Sequence, residues 1–336
     1  MYRVSAFIER CARSLMEQTL PEAEFIFVDD ASPDDSRAKL EDVEFIFVDD
    51  ASPDDSVPIL KTVLAEYPYR NARVISHEVN KGLPSARNTG LAAASGDFIF
   101  HCDGDDWVEP QMLERMYTAA VDTGADYVWC DFYMSFEQNE RYMSARDYRT
   151  ADELLRKGFL AGAMKYNVWN KLVRRSLYVD NGISFPDGHP MGEDMTMIRL
   201  AAFAGNVAYV PEALYHYVKT NAGAYTQVMS ERNLADIRYN TDSVTAFLHE
   251  KFGPSVEPDI SLFKLNVKLP FLITDDRSQY RIWREWYPEA NAYAMANREL
   301  PFRTRLLQWC ASHNLWTVVR LYYVLVYKFV YGIIYR

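Results

Sequence analysis

Short apolar runs alternate with amphipathic segments over the first 130 or so residues of the chain. A run such as Phe45–Val48 is short and rich in strand-forming residues, which predicts a buried strand. The segments between the runs carry apolar residues at helical spacing, with prolines and glycines near their ends. This alternation is typical of an α/β sheet flanked by helices. The predicted strands are Phe25–Val28, Phe45–Val48, Arg73–Ile75, Phe98–Phe100 and Tyr127–Trp129.

An internal repeat interrupts this pattern. The residues Glu24–Ser36 recur without a change as Glu44–Ser56. Repeat architectures need about three units, so a single repeat indicates a recent duplication or an assembly error. The second copy runs directly into the helical segment Val57–Tyr67. We therefore expect the second copy to supply the functional strand end.

Long helical patterns replace the alternation after about residue 225. We predict a catalytic α/β domain over 1–225 and a helical region over 226–336. The segment Asn314–Arg336 is apolar and aromatic, but Arg320 and Lys328 interrupt it. Between residues 301 and 336 there are five Lys or Arg and no Asp or Glu. Basic residues among aromatic ones suit a membrane surface better than a membrane span, and a packed helix pair is the alternative.

Composition and charge narrow the choice of partners. With 336 residues, 49% hydrophobic and 25% charged, the chain has the composition of a folded globular protein. Its formal net charge of -11 argues against nucleic acid as a partner. The four cysteines lack C-x-x-C spacing, and the N-terminus lacks the features of an export signal. We expect a cytoplasmic protein, peripheral at the inner face of the cytoplasmic membrane.

Acidic residues follow two of the predicted strands. In open α/β sheets, ligands bind beyond the carboxyl ends of the strands. Asp49 and Asp50 end one strand, and Asp103 and Asp105 follow another. Because Asp103 and Asp105 are two residues apart, they could share Mg2+ or Mn2+ with a diphosphate. The alternative is that Asp105 or Asp106 only caps the next helix.

Three other segments carry candidate chemistry. Asn80–Gly90 joins a loop, a helix start and Arg87, which could meet phosphate or nucleobase through backbone amides and guanidinium, or could be a plain surface helix. Glu193 and Asp194 begin a helix, where a carboxylate is either functional or a cap. His216 lies in a predicted strand and is either a metal ligand or a partly buried strand residue.

Taken in order, these segments resemble the motifs of the family-2 glycosyltransferases, which have the GT-A fold. The resemblance extends from about Ser5 to Gln227. The motifs that it matches are V-D-D-G-S-x-D-x-S, N-x-G-x-x-x-A-R-N-x-G, F-L-D-x-D-D-W, W-N-K-L and G-E-D. The matching segments are Val48–Ser56, Asn80–Gly90, Phe100–Trp107, Trp169–Leu172 and Gly192–Asp194.

The resemblance implies a Rossmann-like mixed sheet flanked by helices, and a metal-dependent, inverting transfer from a nucleotide-diphosphate sugar, such as a UDP-sugar. The acceptor would be a hydroxyl of a glycan or a lipid-linked saccharide. Asp194 would be the general base, with Glu193 as the competing candidate. The expected nucleotide-sugar ligands are Asp49, Asp50, Lys81, Arg87 and Asp103. The expected acceptor-side residues are Trp169, Asn170 and Lys171. The expected metal ligands are Asp105, Asp103 and His216.

The chain departs from the family pattern at its start. Members of the family usually open with a strand like V-S-I-I-V-P-V-Y-N, but only Met1–Ala6 precedes the first predicted helix here. This central strand is missing unless the first repeat copy takes its place, with Asp29–Val43 as a short crossover. The alternative function is therefore a catalytically inactive nucleotide-binding or scaffold protein.

Overall fold

The computed structural model describes residues 1–20, 43–221 and 230–331. Where it describes them, the apolar runs form the predicted strands. The first repeat copy, with the predicted strand Phe25–Val28 and the crossover Asp29–Val43, lies outside the described residues except at Val43. The strands are β1 Glu44–Asp49, β2 Asn71–Ser76, β3 Phe98–Phe100, β4 Trp107–Val108, β5 Tyr127–Ser135, β6 Glu140–Met143, β7 Lys171–Arg174 and β8 Val207–Val218.

The helices fall between the strands and then dominate after β8. Gly124 takes a left-handed φ of 63° where α4 ends, as its place after the apolar stripe predicts. The α-helices are α1 Ile8–Met16, α2 Ser56–Ala65, α3 Leu83–Ala93, α4 Met112–Thr123, α5 Ala151–Glu153, α6 Arg175–Val179, α7 Thr196–Ala201, α8 Glu231–Phe252, α9 Glu257–Lys268, α10 Gln279–Glu285, α11 Phe302–Ser312 and α12 Trp316–Tyr322.

The described strands form two sheets. β1 and β2 pair in parallel. The other strands form a mixed sheet in the order β3-β7-β5-β8-β4. Strand β6 lies outside this order and pairs with β5. β5 and β8 are parallel, whereas β7 is antiparallel to both β3 and β5. The mixed α/β fold confirms the predicted class. No described strand pairs with both β1 and β3.

The segment before α1 is tied to the loop that follows β1. The Met1 amino group donates to the Val48 carbonyl at 3.0 Å, and Asp50 N–H donates to the Met1 carbonyl at 3.2 Å. The Asp54 carboxylate accepts hydrogen bonds from Ser5 N–H at 3.0 Å and Ser52 Oγ at 2.8 Å. The second repeat copy therefore forms both β1 and the loop that anchors the start of the chain.

The described contacts divide the chain into two units. The first comprises Met1–Ala151 and Tyr166–Asn240, and the second comprises Asp152–Lys165 and Thr241–Arg336. The predicted boundary at residue 225 lies outside the described residues. In the second unit, a π-helical turn at Leu154–Leu160 packs on α9. No helix within the described ranges is both long and apolar enough to cross a membrane.

Candidate active site

Arg87 on α3 connects motifs that lie far apart in the sequence. Its Nη1 donates to Glu193 Oε1 at 2.8 Å, and its Nη2 donates to Asp103 Oδ1 at 3.1 Å. The side chain is only 6% exposed. Burial lowers the pKa of Arg87, but the charges of Asp103 and Glu193 more than offset this effect. The two ion pairs therefore hold the loop after β3 and the turn before α7 next to each other.

The loop after β3 is shaped by a buried carboxylate and a tyrosine. Asp106 accepts hydrogen bonds from Tyr215 Oη at 2.7 Å and from Val218 N–H at 2.7 Å. Asp103 N–H donates to the same tyrosine oxygen at 3.2 Å. Helix α4 begins after Gln111 and has no side-chain cap. The alternative that Asp105 or Asp106 only caps this helix is therefore wrong. Asp106 orders the loop and leaves Asp103 and Asp105 partly exposed.

Gly104 lies close to the start of the chain within this loop. A Cβ on Gly104 would lie 2.6 Å from Met1 Cγ, so a larger residue would force the Met1 side chain to move. Asp105 Oδ2 accepts a hydrogen bond from Asn221 Nδ2 at 2.8 Å. Burial and the charge of Asp103 raise the pKa of Asp105.

A cation would fit this pair of carboxylates. The raised pKa of Asp105 means that its negative charge is poorly stabilised by the protein alone, and oxygen ligands are those that Mg2+ and Mn2+ prefer. In the described part of the chain, no three His, Cys, Asp or Glu side chains are grouped to hold a metal. A cation at Asp103 and Asp105 would therefore take further ligands from a diphosphate and water.

The turn before α7 presents two carboxylates with different partners. Gly192 has a φ of +88°, and Asn240 Nδ2 donates to the Met191 carbonyl at 3.0 Å, which fixes the approach to the turn. Glu193 forms the ion pair with Arg87, and burial raises its pKa to about 7. Burial also raises the pKa of Asp194, while the charges of Arg87 and Lys171 oppose that rise.

The predicted acceptor-side residues lie mostly in the interior. Lys171 is 1% exposed, and its Nζ donates to Asn170 Oδ1 at 2.9 Å and to the Asn167 carbonyl. Asn170 Nδ2 donates to the Cys130 carbonyl at 2.6 Å. Trp169 stacks on Tyr215 with ring centroids 4.4 Å apart. Burial lowers the pKa of Lys171 to about 7, against the opposing charge of Asp194.

Asp50 holds the loop that precedes α3. Its carboxylate accepts hydrogen bonds from Lys81 N–H at 2.7 Å and Gly82 N–H at 2.6 Å, and His77 Nδ1 lies 2.8 Å from Oδ1. These two backbone amides belong to the segment that could meet phosphate or nucleobase, and here they are engaged by the protein. The neighbouring Asp49 accepts a hydrogen bond from Ser52 N–H at 2.7 Å, and burial raises its pKa. Nucleobase binding by Asp49 and Asp50 stays a prediction.

His216 lies in β8 with both ring nitrogens hydrogen-bonded. Nε2 is 2.9 Å from Glu109 Oε1, and Nδ1 is 2.8 Å from Glu140 Oε1. The ring stacks on Trp107 at a centroid distance of 3.3 Å, and its side chain is 2% exposed. His216 would have to release a carboxylate before it could bind a metal, so its role as a ligand stays a prediction.

Three positioning residues were not assigned a role from the sequence. Asn88 forms two hydrogen bonds with the backbone of Phe185, at 2.9 and 2.8 Å, and so ties α3 to the loop before Glu193. His77 Nε2 lies 2.8 Å from Thr89 Oγ1, which links Asp50 to α3. Tyr215 orders the loop after β3. Asn88 directly follows Arg87 in the segment Asn80–Gly90, and this position in a motif was the sequence feature that could have indicated its role.

The sequence matches the family described as glycosyl transferase family 2 in two pieces, residues 1–43 and 38–186. The break lies between the two copies of the repeat. Two curated relatives come from Bacillus subtilis (strain 168). The uncharacterized glycosyltransferase EpsJ is 29% identical over 288 residues, 82% of this chain and 76% of the relative. The putative glycosyltransferase EpsH is 31% identical over 261 residues, 74% of this chain and 67% of the relative.

Solved structures support the same assignment at the level of the fold. S. aureus TarS 1–349, crystallised in complex with UDP-GlcNAc, superposes with a TM-score of 0.65 and 18% identity, over 96% of this chain and 89% of that chain. At that identity the likeness shows the fold alone. Since the family match spans more than half of the 336 residues, the chain belongs to glycosyl transferase family 2 and has the GT-A fold.

Proposed function

We propose that the protein transfers a sugar from a UDP-sugar to a hydroxyl of a glycan or a lipid-linked saccharide, with inversion at the anomeric carbon. The observation that carries this proposal is the bridge from Asp103 through Arg87 to Glu193, at 3.1 and 2.8 Å. It holds the carboxylate loop after β3 next to the turn that carries Asp194. A single displacement needs the donor phosphates and a general base for the acceptor hydroxyl to be held close together.

Asp194 is the proposed general base. A sugar hydroxyl is a weak nucleophile, so its proton must be accepted as the bond to the anomeric carbon forms. Glu193 forms an ion pair with the buried Arg87. If Glu193 moved to accept a proton, Arg87 would keep Asp103 as its remaining ion-pair partner. The charges of Arg87 and Lys171 favour the deprotonated form of Asp194 that a base requires. The arrangement therefore favours Asp194 over Glu193.

Asp103 and Asp105 would hold Mg2+ or Mn2+ together with the donor diphosphate. Such a cation offsets the negative charge that develops on the departing diphosphate. Arg87 orients Asp103, and Asn221 orients Asp105 through the hydrogen bond at 2.8 Å. We place the reaction in the first unit, which contains all of these residues.

A matched pair of variants tests the base. Asp194→Asn keeps the shape of the side chain but cannot accept a proton, so UDP release from UDP-sugars with Mn2+ should fall at least about a hundredfold. UDP affinity by calorimetry and the melting temperature should stay near those of the wild type. Glu193→Gln should retain much more turnover. Near-normal turnover in Asp194→Asn, together with a large loss in Glu193→Gln, would assign the base to Glu193.

A binding protein without catalysis is the second candidate. It is favoured by the separation of the β1–β2 pair from the main sheet, since no described strand joins them. Titration with UDP and Mn2+, followed by a screen of UDP- and GDP-sugars for donor hydrolysis, separates the two candidates. Binding of UDP without hydrolysis of any donor would favour the second.

A further inference from the structure

The last two helices carry exposed apolar side chains along one side of each. In α11, Phe302, Leu306 and Trp309 are exposed at helical spacing. In α12 and its π-helical continuation over Tyr323–Tyr331, the large apolar side chains described as exposed are Val318, Leu321 and Leu325. Spacings of three, four and seven residues place each set on one helix face. The two helices pack against each other, so these two exposed sides belong to one helix pair.

The opposite sides of the same helices are buried. Leu307, Cys310 and Ala311 in α11 are at most 5% exposed, and Val319 in α12 is 0% exposed. Each helix therefore already has a packed face, and the exposed leucines and aromatic residues lie outside it. Apolar side chains that are exposed as a group, rather than singly, mark interaction sites on folded proteins.

The charge around this surface indicates what covers it. Residues 301–336 contain five Lys or Arg and no Asp or Glu, whereas the whole chain has a net charge of -11. Asp275 pairs with Arg320 at 3.0 Å and with Lys328 at 3.3 Å, and so offsets part of this positive charge. The exposed Arg303 and Lys328 lie in the same helix pair as the apolar side chains. A symmetric dimer through this face would bring the cations of two copies together, which disfavours self-association.

We propose that the helix pair 302–331 docks on the surface of an anionic lipid bilayer, with its apolar side chains among the acyl chains and its cations at the headgroups. Apolar insertion and attraction to anionic lipid add together in such helices, and the electrostatic part acts within about 10 Å at 0.1 M salt. The cations near the helix pair can therefore act although the chain as a whole is acidic. This proposal does not depend on the proposed activity.

Vesicle binding by the full chain tests the proposal. The probe is a set of vesicles of phosphatidylcholine with about one quarter phosphatidylglycerol, compared with pure phosphatidylcholine, at low salt. The wild type should co-sediment with the anionic vesicles and bind the neutral ones less. The double variant Leu321→Glu with Leu325→Glu should lose at least about tenfold in partitioning, because it places carboxylates in the apolar surface.

A matched control comes from the first unit. Val121 and Val179 are each 58% exposed, close to the 56% and 52% of Leu321 and Leu325. Val121→Glu with Val179→Glu adds the same charge elsewhere and should bind vesicles as the wild type does. Both double variants should keep the wild-type melting temperature.

Two results would overturn the proposal. One is a wild-type chain that does not bind anionic vesicles, and the other is a control that loses as much binding as the Leu321 and Leu325 variant. If the wild type does not bind vesicles and is a dimer by light scattering that becomes monomeric in the Leu321 and Leu325 variant, the surface is assigned to self-association.

Discussion

Replacing Lys171 by methionine should move the acidic limb of the pH profile of kcat/KM to higher pH. The ammonium is buried, and its charge opposes the rise in pKa that burial imposes on Asp194. Methionine keeps the length of the apolar stem and removes the charge. Without it the pKa of Asp194 rises, so a larger share of the base is protonated at low pH.

The size of the shift follows from the charges. An opposite charge at close range lowers a carboxyl pKa by about 1 to 3 units. Burial lowers the pKa of Lys171 to about 7, so its cation is present below pH 7 and is lost above it. We therefore expect a shift near the lower end, about one unit, which corresponds to about 1.4 kcal/mol. On the acidic limb kcat/KM should fall by up to about tenfold, and the loss should shrink as the pH rises.

The assay is UDP release at low substrate across pH 5 to 9, with the melting temperature measured alongside. Lys171→Met also leaves the Asn167 carbonyl and Asn170 Oδ1 without the ammonium, so some loss of stability is expected. Asn170→Ala is the control, because it removes an acceptor of the hydrogen bonds that Lys171 Nζ donates but keeps the charge. If Lys171→Met lowers the rate equally at every pH, as Asn170→Ala should, Lys171 is structural only.

Two further predictions concern the donor site. Asp105→Asn should reduce transfer at least about a hundredfold, because an amide is a poorer cation ligand, and undiminished, EDTA-insensitive activity would contradict the metal proposal. Asp50→Ala should weaken UDP binding about tenfold or more, measured by calorimetry, because it removes the predicted nucleobase contact and the hydrogen bonds that order the loop at Lys81 and Gly82. Asp30→Ala, in the first repeat copy, should have no such effect; the reverse pattern would mean that the first copy supplies the site.

The sequence alone determined the local elements and the family. Strands such as β1 and β3 are continuous apolar runs, and their burial on both sides follows from that composition. The spacing within each motif also predicts which carboxylates follow a strand end. These features depend on residues that are near one another in the chain, so the local sequence pattern is enough to predict them.

The tertiary structure decided which distant groups became partners. No local pattern indicates that Arg87 pairs with Glu193, that Tyr215 orders the loop of Asp103, or that residues 152–165 pack with the C-terminal helices. The resemblance assigns Lys171 to the acceptor side, which stays a prediction, and only the fold shows that its side chain is buried beside its own loop. Such pairings are settled when strands and helices pack, because a buried charge is stable only where the fold brings an opposite charge or hydrogen-bond partners to it.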